Sequence, residues 1–198
     1  MGILASVRRG PAMVIGAAVA IGLAVTLVGS AAAAADGVAP PRSTINGPSC
    51  GGGSHSVPDP IGGGATTYWA MGQYVEGSGQ TARTYSYWLV ERSATGGAPF
   101  LYSKGVLVSC GRGLPVYTDL VAISSTGQNV CTQAGDFGVV EGGVSKSYVL
   151  VGERASRTGP NIWDIAKFRF WHVRKATPGW QFDRAFLARC PHVLIPGN

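Results

Sequence analysis

The sequence predicts an all-β fold with minor helical content, a single disulfide-stapled antiparallel domain, sandwich-like or barrel-like, that follows an N-terminal signal segment. Short stretches of alternating polar and apolar residues are separated by turn sequences, as in sandwiches and barrels. No segment after residue 35 has a helical hydrophobic period of useful length. The 30 glycines are typical of a protein with many turns.

Residues 1–35 have the layout of a secretory signal peptide. Arg8 and Arg9 give a positive start, Ala12–Gly29 is almost entirely apolar, and Ala31–Ala35 supplies an A-x-A type cleavage site. We expect cleavage before Asp36. Because the apolar run approaches the length of a membrane span, an uncleaved anchor is the alternative. The alanine- and glycine-rich composition favours a bacterial source, so we predict a secreted or cell-envelope-associated bacterial protein.

The rest of the chain divides at residue 65. Residues 36–65 are rich in proline and contain two glycine triplets, Gly51–Gly53 and Gly62–Gly64. Such a stretch buries too little apolar surface to offset its ordering entropy, so we predict a flexible arm. Residues 66–198 are predicted to form one β-rich globular domain.

The strands of this domain are predicted from alternation and from aromatic and β-branched residues between turns. In chain order they are Thr67–Glu76, Thr84–Arg92, Phe100–Cys110, Val116–Ser124, Phe137–Val140, Ser147–Glu153 and Ile165–Lys175. In the second of these, Tyr85, Tyr87 and Leu89 share one face, and Trp88 and Val90 share the other.

The C-terminal part is less regular. In Gln181–Arg189, Phe182 and Phe186 lie four residues apart and Asp183 is near the start, which favours a short helix. Alternation also allows a strand, but we predict a helix here and an edge strand at Val193–Ile195.

One internal similarity stands out. The segment from Ser86 to Gly96 resembles the segment from Ser147 to Gly159, and both are followed by another apolar strand. Two related hairpins would explain it. We attribute it instead to shared strand and turn composition, since two copies are fewer than repeat architectures need.

All four cysteines, Cys50, Cys110, Cys131 and Cys190, lie after the signal segment. An even number of cysteines in an exported chain indicates two disulfides. Three pairings are possible, and we favour Cys110–Cys131 with Cys50–Cys190. The absence of C-x-x-C and the scattered histidines argue against a zinc site, and we predict neither a metal nor a cofactor.

The most regular stretch of the sequence is Ile165–Lys175. In an extended conformation one of its faces carries apolar residues and a histidine, which suits a core. These residues are Ala166, Phe168, Phe170 and His172. The other face is basic with one aromatic ring and carries Lys167, Arg169, Trp171 and Lys175. We predict that these four residues bind a ligand.

Charge supports this prediction. Residues 36–153 hold six basic against eight acidic residues, a net charge of −2, whereas residues 154–198 hold eight basic against two, a net charge of +6. Such an excess, with Trp163 and Trp180 nearby, suits an anionic cell-wall polymer, an acidic polysaccharide or a membrane surface. No specific nucleic acid is predicted. A solvated basic strand face that discourages edge pairing is the structural alternative.

An enzymatic function is the second hypothesis. The sequence lacks the serine hydrolase elbow, H-E-x-x-H, the Walker loop and a dinucleotide fingerprint. His172 is expected to be a packing residue on the core face. As a general base in a small secreted hydrolase it would need an acid close by, such as Asp119, Asp136 or Asp164. We therefore favour a non-enzymatic binding module.

A third hypothesis is a secreted protease inhibitor or toxin-like effector. It would use an exposed loop braced by the Cys110–Cys131 bridge, with Gly111–Pro115 as its tip. Small exported disulfide-rich β domains serve many functions, so the fold class alone selects none of the three.

Overall fold

The computed structural model describes residues 47–59, 63–124 and 129–191. In chain order its strands are β1 (His55–Pro58), β2 (Ala65–Glu76), β3 (Arg83–Ser93), β4 (Leu101–Cys110), β5 (Val116–Leu120), β6 (Ala122–Ser124), β7 (Phe137–Glu141), β8 (Val144–Arg157), β9 (Ile165–Ala176) and β10 (Trp180–Pro191). A single helical turn, α1 (Asn129–Thr132), precedes β7, and a short 3-10 turn at Gly79–Thr81 joins β2 to β3. The predicted all-β class is confirmed.

The strands form two five-stranded sheets, with the order β1-β2-β3-β4-β5 in the first and β6-β10-β9-β8-β7 in the second. Four consecutive strands make an antiparallel meander in each sheet. The segment between the meanders supplies one edge strand to each sheet. Of these, β5 runs antiparallel to β4 and β6 runs parallel to β10.

Both sheets contribute to one buried cluster, whose side of each sheet we call the shared face. The fully buried members alternate along their strands, as expected for sheets with one face in the core. They are Tyr85, Tyr87, Leu89, Leu107 and Leu120 from the first sheet, and Ala166, Phe168, Phe170 and Leu187 from the second. The predicted alternation of β3 and β9 is therefore confirmed on this face.

Each sheet also has a covered outer face. In the first sheet, Trp88 lies in a cluster of valines packed against the disulfide-bonded Cys50. In the second sheet, Trp171 lies in a cluster that includes Val130 and Cys190. In both cases a cysteine-bearing segment that precedes the meander covers a tryptophan on the second of its long strands.

The two disulfides give this arrangement its regularity. Cys50 pairs with Cys110 and Cys131 pairs with Cys190, with sequence separations of 60 and 59 residues. Each bridge joins the segment before a meander to the end of its last strand. The prediction of two disulfides is confirmed, but the favoured pairing was wrong. Cys110 and Cys131 end and begin different meanders, so they do not meet. We call residues 50–110 the first half and residues 131–190 the second half.

Strand registers show which positions of the halves correspond. A bulge interrupts the β2–β3 pairing between Ala70 and Gly72, and an equivalent bulge interrupts the β8–β9 pairing between Leu150 and Gly152. The equivalent residues are Gly72 and Gly152, Gln73 and Glu153, Ser86 and Arg169, Tyr87 and Phe170, and Trp88 and Trp171. The structure therefore aligns β2 with β8 and β3 with β9, whereas the sequence similarity had aligned β3 with β8.

The two glycines after these bulges are required where β2 crosses β8. A Cβ atom at Gly72 would lie 2.5 Å from the carbonyl oxygen of Val151. A Cβ atom at Gly152 would collide with the carbonyl oxygen of Met71. The backbones of the two sheets approach each other here more closely than any side chain allows.

Two expectations for other segments need correction. Gln181–Arg189 is not a helix but most of β10, because the whole segment pairs with β9 and its side chains alternate between the faces. Within the predicted flexible arm, His55–Pro58 form β1, an edge strand that pairs with β2. The signal segment and the predicted strand at Val193–Ile195 lie outside the described residues.

Among the described residues, no helix has the length and apolar character needed to cross a bilayer.

Candidate functional site

The predicted basic surface corresponds to the outer face of β9. Lys167, Arg169, Trp171 and Lys175 lie together on that face, opposite the shared face. However, Arg169 is only 4% exposed and Trp171 is completely buried. The expectation that these two side chains are available to a ligand was wrong.

The reason is the segment that precedes and forms β7. Val130 in α1 and Phe137 in β7 pack on Trp171, and the Cys131–Cys190 disulfide ties this segment to β10. Alternation identifies the outer face of a strand, but it does not tell whether another segment covers that face. The cover lies more than 30 residues earlier in the chain and carries no signal of its destination.

The lysines of β9 are half-exposed and paired. Nζ of Lys167 lies 3.3 Å from a carboxylate oxygen of Glu153, which also binds Arg169 at 3.1 Å. Nζ of Lys175 lies 3.8 Å from a carboxylate oxygen of Asp183. These acids lie on the neighbouring strands β8 and β10, so the sheet itself neutralises part of the basic excess seen in the sequence.

His172 lies on the shared face, as predicted, and is completely buried. The Tyr87 hydroxyl lies 2.7 Å from Nδ1 of His172, and Nε2 lies 3.6 Å from Oε2 of Glu76. Glu76 in turn accepts a hydrogen bond of 2.8 Å from Nε of Arg174. The aromatic ring of Tyr74 stacks on the imidazole at 4.1 Å.

Burial sets the protonation of this chain of groups. Desolvation lowers the pKa of His172 to about 4, against the opposing attraction of the Glu76 carboxylate. Burial also raises the pKa of Tyr87 far above its usual value, so its hydroxyl keeps its proton and donates to Nδ1. The neutral imidazole therefore carries its own proton on Nε2, directed toward Glu76.

This arrangement does not provide the cleft that a hydrolase at His172 requires. The imidazole and Tyr87 have no exposed surface, so no substrate can reach them in this conformation. The acids proposed from the sequence bind elsewhere. Asp119 pairs with Lys104, Asp136 accepts from the backbone of Leu150, and Asp164 closes the turn before β9. The acid beside His172 is Glu76, which lies almost one hundred residues earlier.

The loop proposed for protease inhibition is not braced in the expected way. Gly111–Pro115 follows Cys110, whose partner is Cys50. Leu114 at its tip is 77% exposed. The loop is therefore a hairpin connection between β4 and β5 with one disulfide at its base.

An open groove lies on the outer face of the first sheet. It has a volume of about 260 Å³ and is bounded by the segment after Cys50 and by the middle of β2 and β3. Its lining residues are Gly51, Gly52, Ala70, Met71, Gly72, Gln73, Ser86, Tyr87 and Trp88.

Hydrogen bonds fix the walls of the groove. Nε2 of Gln73 donates to the carbonyl oxygen of Cys50 at 2.8 Å and to Oγ of Ser86 at 2.9 Å. The indole of Trp88 donates to the carbonyl oxygen of Ser49 at 3.0 Å. The disulfide holds the same segment against β4. The sequence gave no motif for this groove. The nearly equal cysteine spacings were the one available sign that the halves should be compared.

The remaining chemistry and relationships are quickly stated. Within the described part of the chain, no three histidine, cysteine, aspartate or glutamate side chains converge as metal ligands would. No family model, no curated protein and no solved structure matches the chain. The two disulfides indicate an oxidising, extracellular-type environment.

Proposed function

We propose that this chain is an exported binding domain that recognises another molecule through the groove beside Cys50. The signal segment at 1–35 would direct its export, and the two sheets would form the layers of a disulfide-braced sandwich. The single observation that supports a binding role is the groove, because it is open to solvent and has mixed polar and aromatic walls.

The dimensions of the groove limit its ligand. A drug-sized molecule needs a pocket of at least ~300 Å³, and this groove is smaller and open. It therefore suits one side-chain-sized group of a larger partner. Its walls are held by a disulfide and by three hydrogen-bonding side chains, so little ordering is needed on binding.

A nuclear magnetic resonance titration tests this function. The ¹⁵N-labelled, disulfide-bonded protein is titrated with blocked amino acids, monosaccharides and inorganic phosphate, and the amide signals of Gly51, Gly52, Gly72 and Ser86 are followed. At least one probe is expected to shift these signals in a saturable way. Shifts that are absent for every probe, or confined to other regions, would contradict the proposal.

Two glycine variants provide a matched pair. The Cβ position of Gly52 is open, so Gly52→Tyr adds a bulky ring at the groove without steric conflict with the backbone. It is expected to weaken groove binding at least about tenfold. Gly135, in the equivalent covering segment of the second half, is equally open, and Gly135→Tyr should leave binding unchanged.

The basic-aromatic hypothesis remains as a second candidate in a revised form. The side chains of Lys167 and Lys175 are 40% and 39% exposed, and Trp163 and Trp180 are exposed in the loops at the two ends of β9. An anionic cell-wall polymer, polysaccharide or membrane surface would then bind along this side of the second sheet. Arg169 and Trp171 would support the surface from beneath.

Salt-dependent retention on a carboxylated polysaccharide column tests this second candidate. Lys167→Glu with Lys175→Glu should release the protein at lower salt, because each lost contact reduces counterion release. Lys104→Glu with Arg112→Glu makes the same change in net charge on the first half. Equal effects of the two double variants would leave only a net-charge effect and would contradict this candidate.

A further inference from the structure

The two halves differ at one pair of equivalent positions on their outer faces. In the second half, Glu153 on β8 lies opposite Arg169 on β9. In the first half, Gln73 on β2 lies opposite Ser86 on β3. A long cation beside a carboxylate is thus replaced by a short hydroxyl beside a neutral amide.

In the second half the arginine fills the space between the sheet and its cover. Nε of Arg169 lies 3.1 Å from the Glu153 carboxylate, and Nη1 donates to the carbonyl oxygen of Val130 at 2.9 Å. Its guanidinium lies 5.4 Å from the ring centre of Trp171. This position therefore combines a side-chain acceptor, a backbone carbonyl of the cover and the face of an indole.

In the first half the corresponding space is open. Ser86 reaches only as far as the carbonyl oxygen of Cys50, at 3.2 Å. The volume that a longer side chain would occupy is the groove, and it keeps the equivalent surroundings. Trp88 lies at the position of Trp171, Gln73 at the position of Glu153, and the Cys50 segment at the position of the Val130 segment.

We propose that the groove binds the guanidinium group of an arginine side chain presented by another polypeptide. This inference rests on the proposed function and names its ligand. The guanidinium would donate to Oε1 of Gln73 and to carbonyl oxygens of the Cys50 segment, and would lie against Trp88. The aliphatic stem and backbone of the arginine would lie outside, over Gly51 and Gly52.

The neutral Gln73 sets the strength of this interaction. In the second half the carboxylate of Glu153 holds Arg169 permanently, as a charge-assisted hydrogen bond does. An amide acceptor binds the same group more weakly, so an arginine in the first half would be a reversible ligand. The chain thus contains its own model for the occupied state.

The probe is N-acetyl-L-arginine N-methylamide, which imitates an arginine within a polypeptide. Titration followed at the amide signals of Gly51, Gly52 and Ser86 is expected to saturate. The citrulline analogue, which has the same length but no charge, should bind at least about tenfold more weakly. Free arginine, which has a charged backbone amine and carboxylate, distinguishes a small solute from a polypeptide segment and should bind more weakly than the blocked form.

Two variants sharpen the test. Gln73→Glu supplies the carboxylate of the second half and should tighten arginine binding about tenfold without affecting citrulline. Ser86→Arg with Gln73→Glu copies the second half completely, so the protein's own arginine should occupy the groove and abolish binding. If the double variant fails to fold, the single variant still decides.

The outcomes separate the two proposals. Equal affinity for the arginine and citrulline analogues, an unchanged dissociation constant in Gln73→Glu, or tighter binding of free arginine would overturn the arginine inference. Saturable binding of a different probe, lost in Gly52→Tyr, would then still support the proposed function. If no probe binds at the groove, both proposals fail.

Discussion

Glu76 on the first sheet accepts a 2.8 Å hydrogen bond from Nε of Arg174 on the second sheet. A second buried carboxylate, Glu91, pairs across the sheets with Arg154 at 3.5 Å. The guanidinium of Arg154 also stacks on Trp69, at 3.6 Å from the ring centre. Part of the acidic and basic imbalance along the sequence is therefore resolved inside the molecule, where acids of the first half meet bases of the second.

Removing Glu76 should destabilise the protein strongly. Glu76→Ala leaves Arg174 without its carboxylate in a largely buried setting, and we expect a loss of about 3 kcal/mol in the free energy of unfolding. Asp119→Ala, which breaks the exposed pair with Lys104, should cost less than about 1 kcal/mol. Urea unfolding followed by tryptophan fluorescence measures both. Similar losses in the two variants would show that the pair between the sheets has no special weight.

Stability should fall in acid because of His172. The imidazole is neutral in the folded protein with a pKa of about 4, whereas an unfolded histidine has a pKa near 6.5. The unfolded state therefore binds more protons between these values. The contribution is fully present above pH ~6.5 and declines by up to about 3 kcal/mol as the pH falls to ~4.

The variant His172→Gln removes this titration and should flatten the decline of unfolding free energy between pH 6.5 and 4. His55→Gln changes a partly exposed histidine on the edge strand β1 and serves as the control. Unfolding free energies from urea titrations at several pH values provide the measurement. A decline of the same size in His172→Gln and in the unaltered protein would assign it to other groups, of which Glu76 is the nearest.

The crossing of β2 and β8 should tolerate no side chain at its glycines. Gly152→Ala places a methyl group against the backbone of Met71, and we expect a loss of roughly 3 kcal/mol in stability. Gly138→Ala, on β7 of the same sheet, has its nearest neighbour at 3.6 Å and should be close to neutral. Thermal unfolding compares the two. Equal melting temperatures would mean that the backbones can separate at the crossing without cost.

The two disulfides should contribute almost equally. Because their loops span 60 and 59 residues, chain entropy assigns each about 4 kcal/mol. Replacing Cys50 and Cys110 by serine should therefore lower the unfolding free energy about as much as replacing Cys131 and Cys190. A difference of more than ~2 kcal/mol between the double variants would show that one half depends on its bridge and the other does not.

The sequence predicts the class of the fold because alternation is a local property. It identified the two faces of β3 and β9, and it placed Phe168, Phe170 and His172 in the core. It failed at Gln181–Arg189, where a spacing of four residues between two phenylalanines also fits a strand that crosses a bulge. Here Phe182 and Phe186 face opposite sides of the sheet, because the register shifts at Asp183.

The sites were harder to predict than the strands because they depend on non-local contacts. Trp171 looked exposed because the segment that covers it lies about forty residues away in the sequence. Glu76 was not considered as a partner of His172 for the same reason. The groove depends on the absence of a side chain at Ser86, which becomes visible only when the halves are superposed by register.

The shared cluster takes its members from both halves, and each half closes its own bridge over its own tryptophan. The chain is thus built like a dimer whose subunits have been joined into one polypeptide, with the subunit interface as its core. Neither subunit could be expressed alone without exposing that interface to water. Joining them has freed each copy from having to match the other, and one copy has kept an arginine where its twin has left an opening.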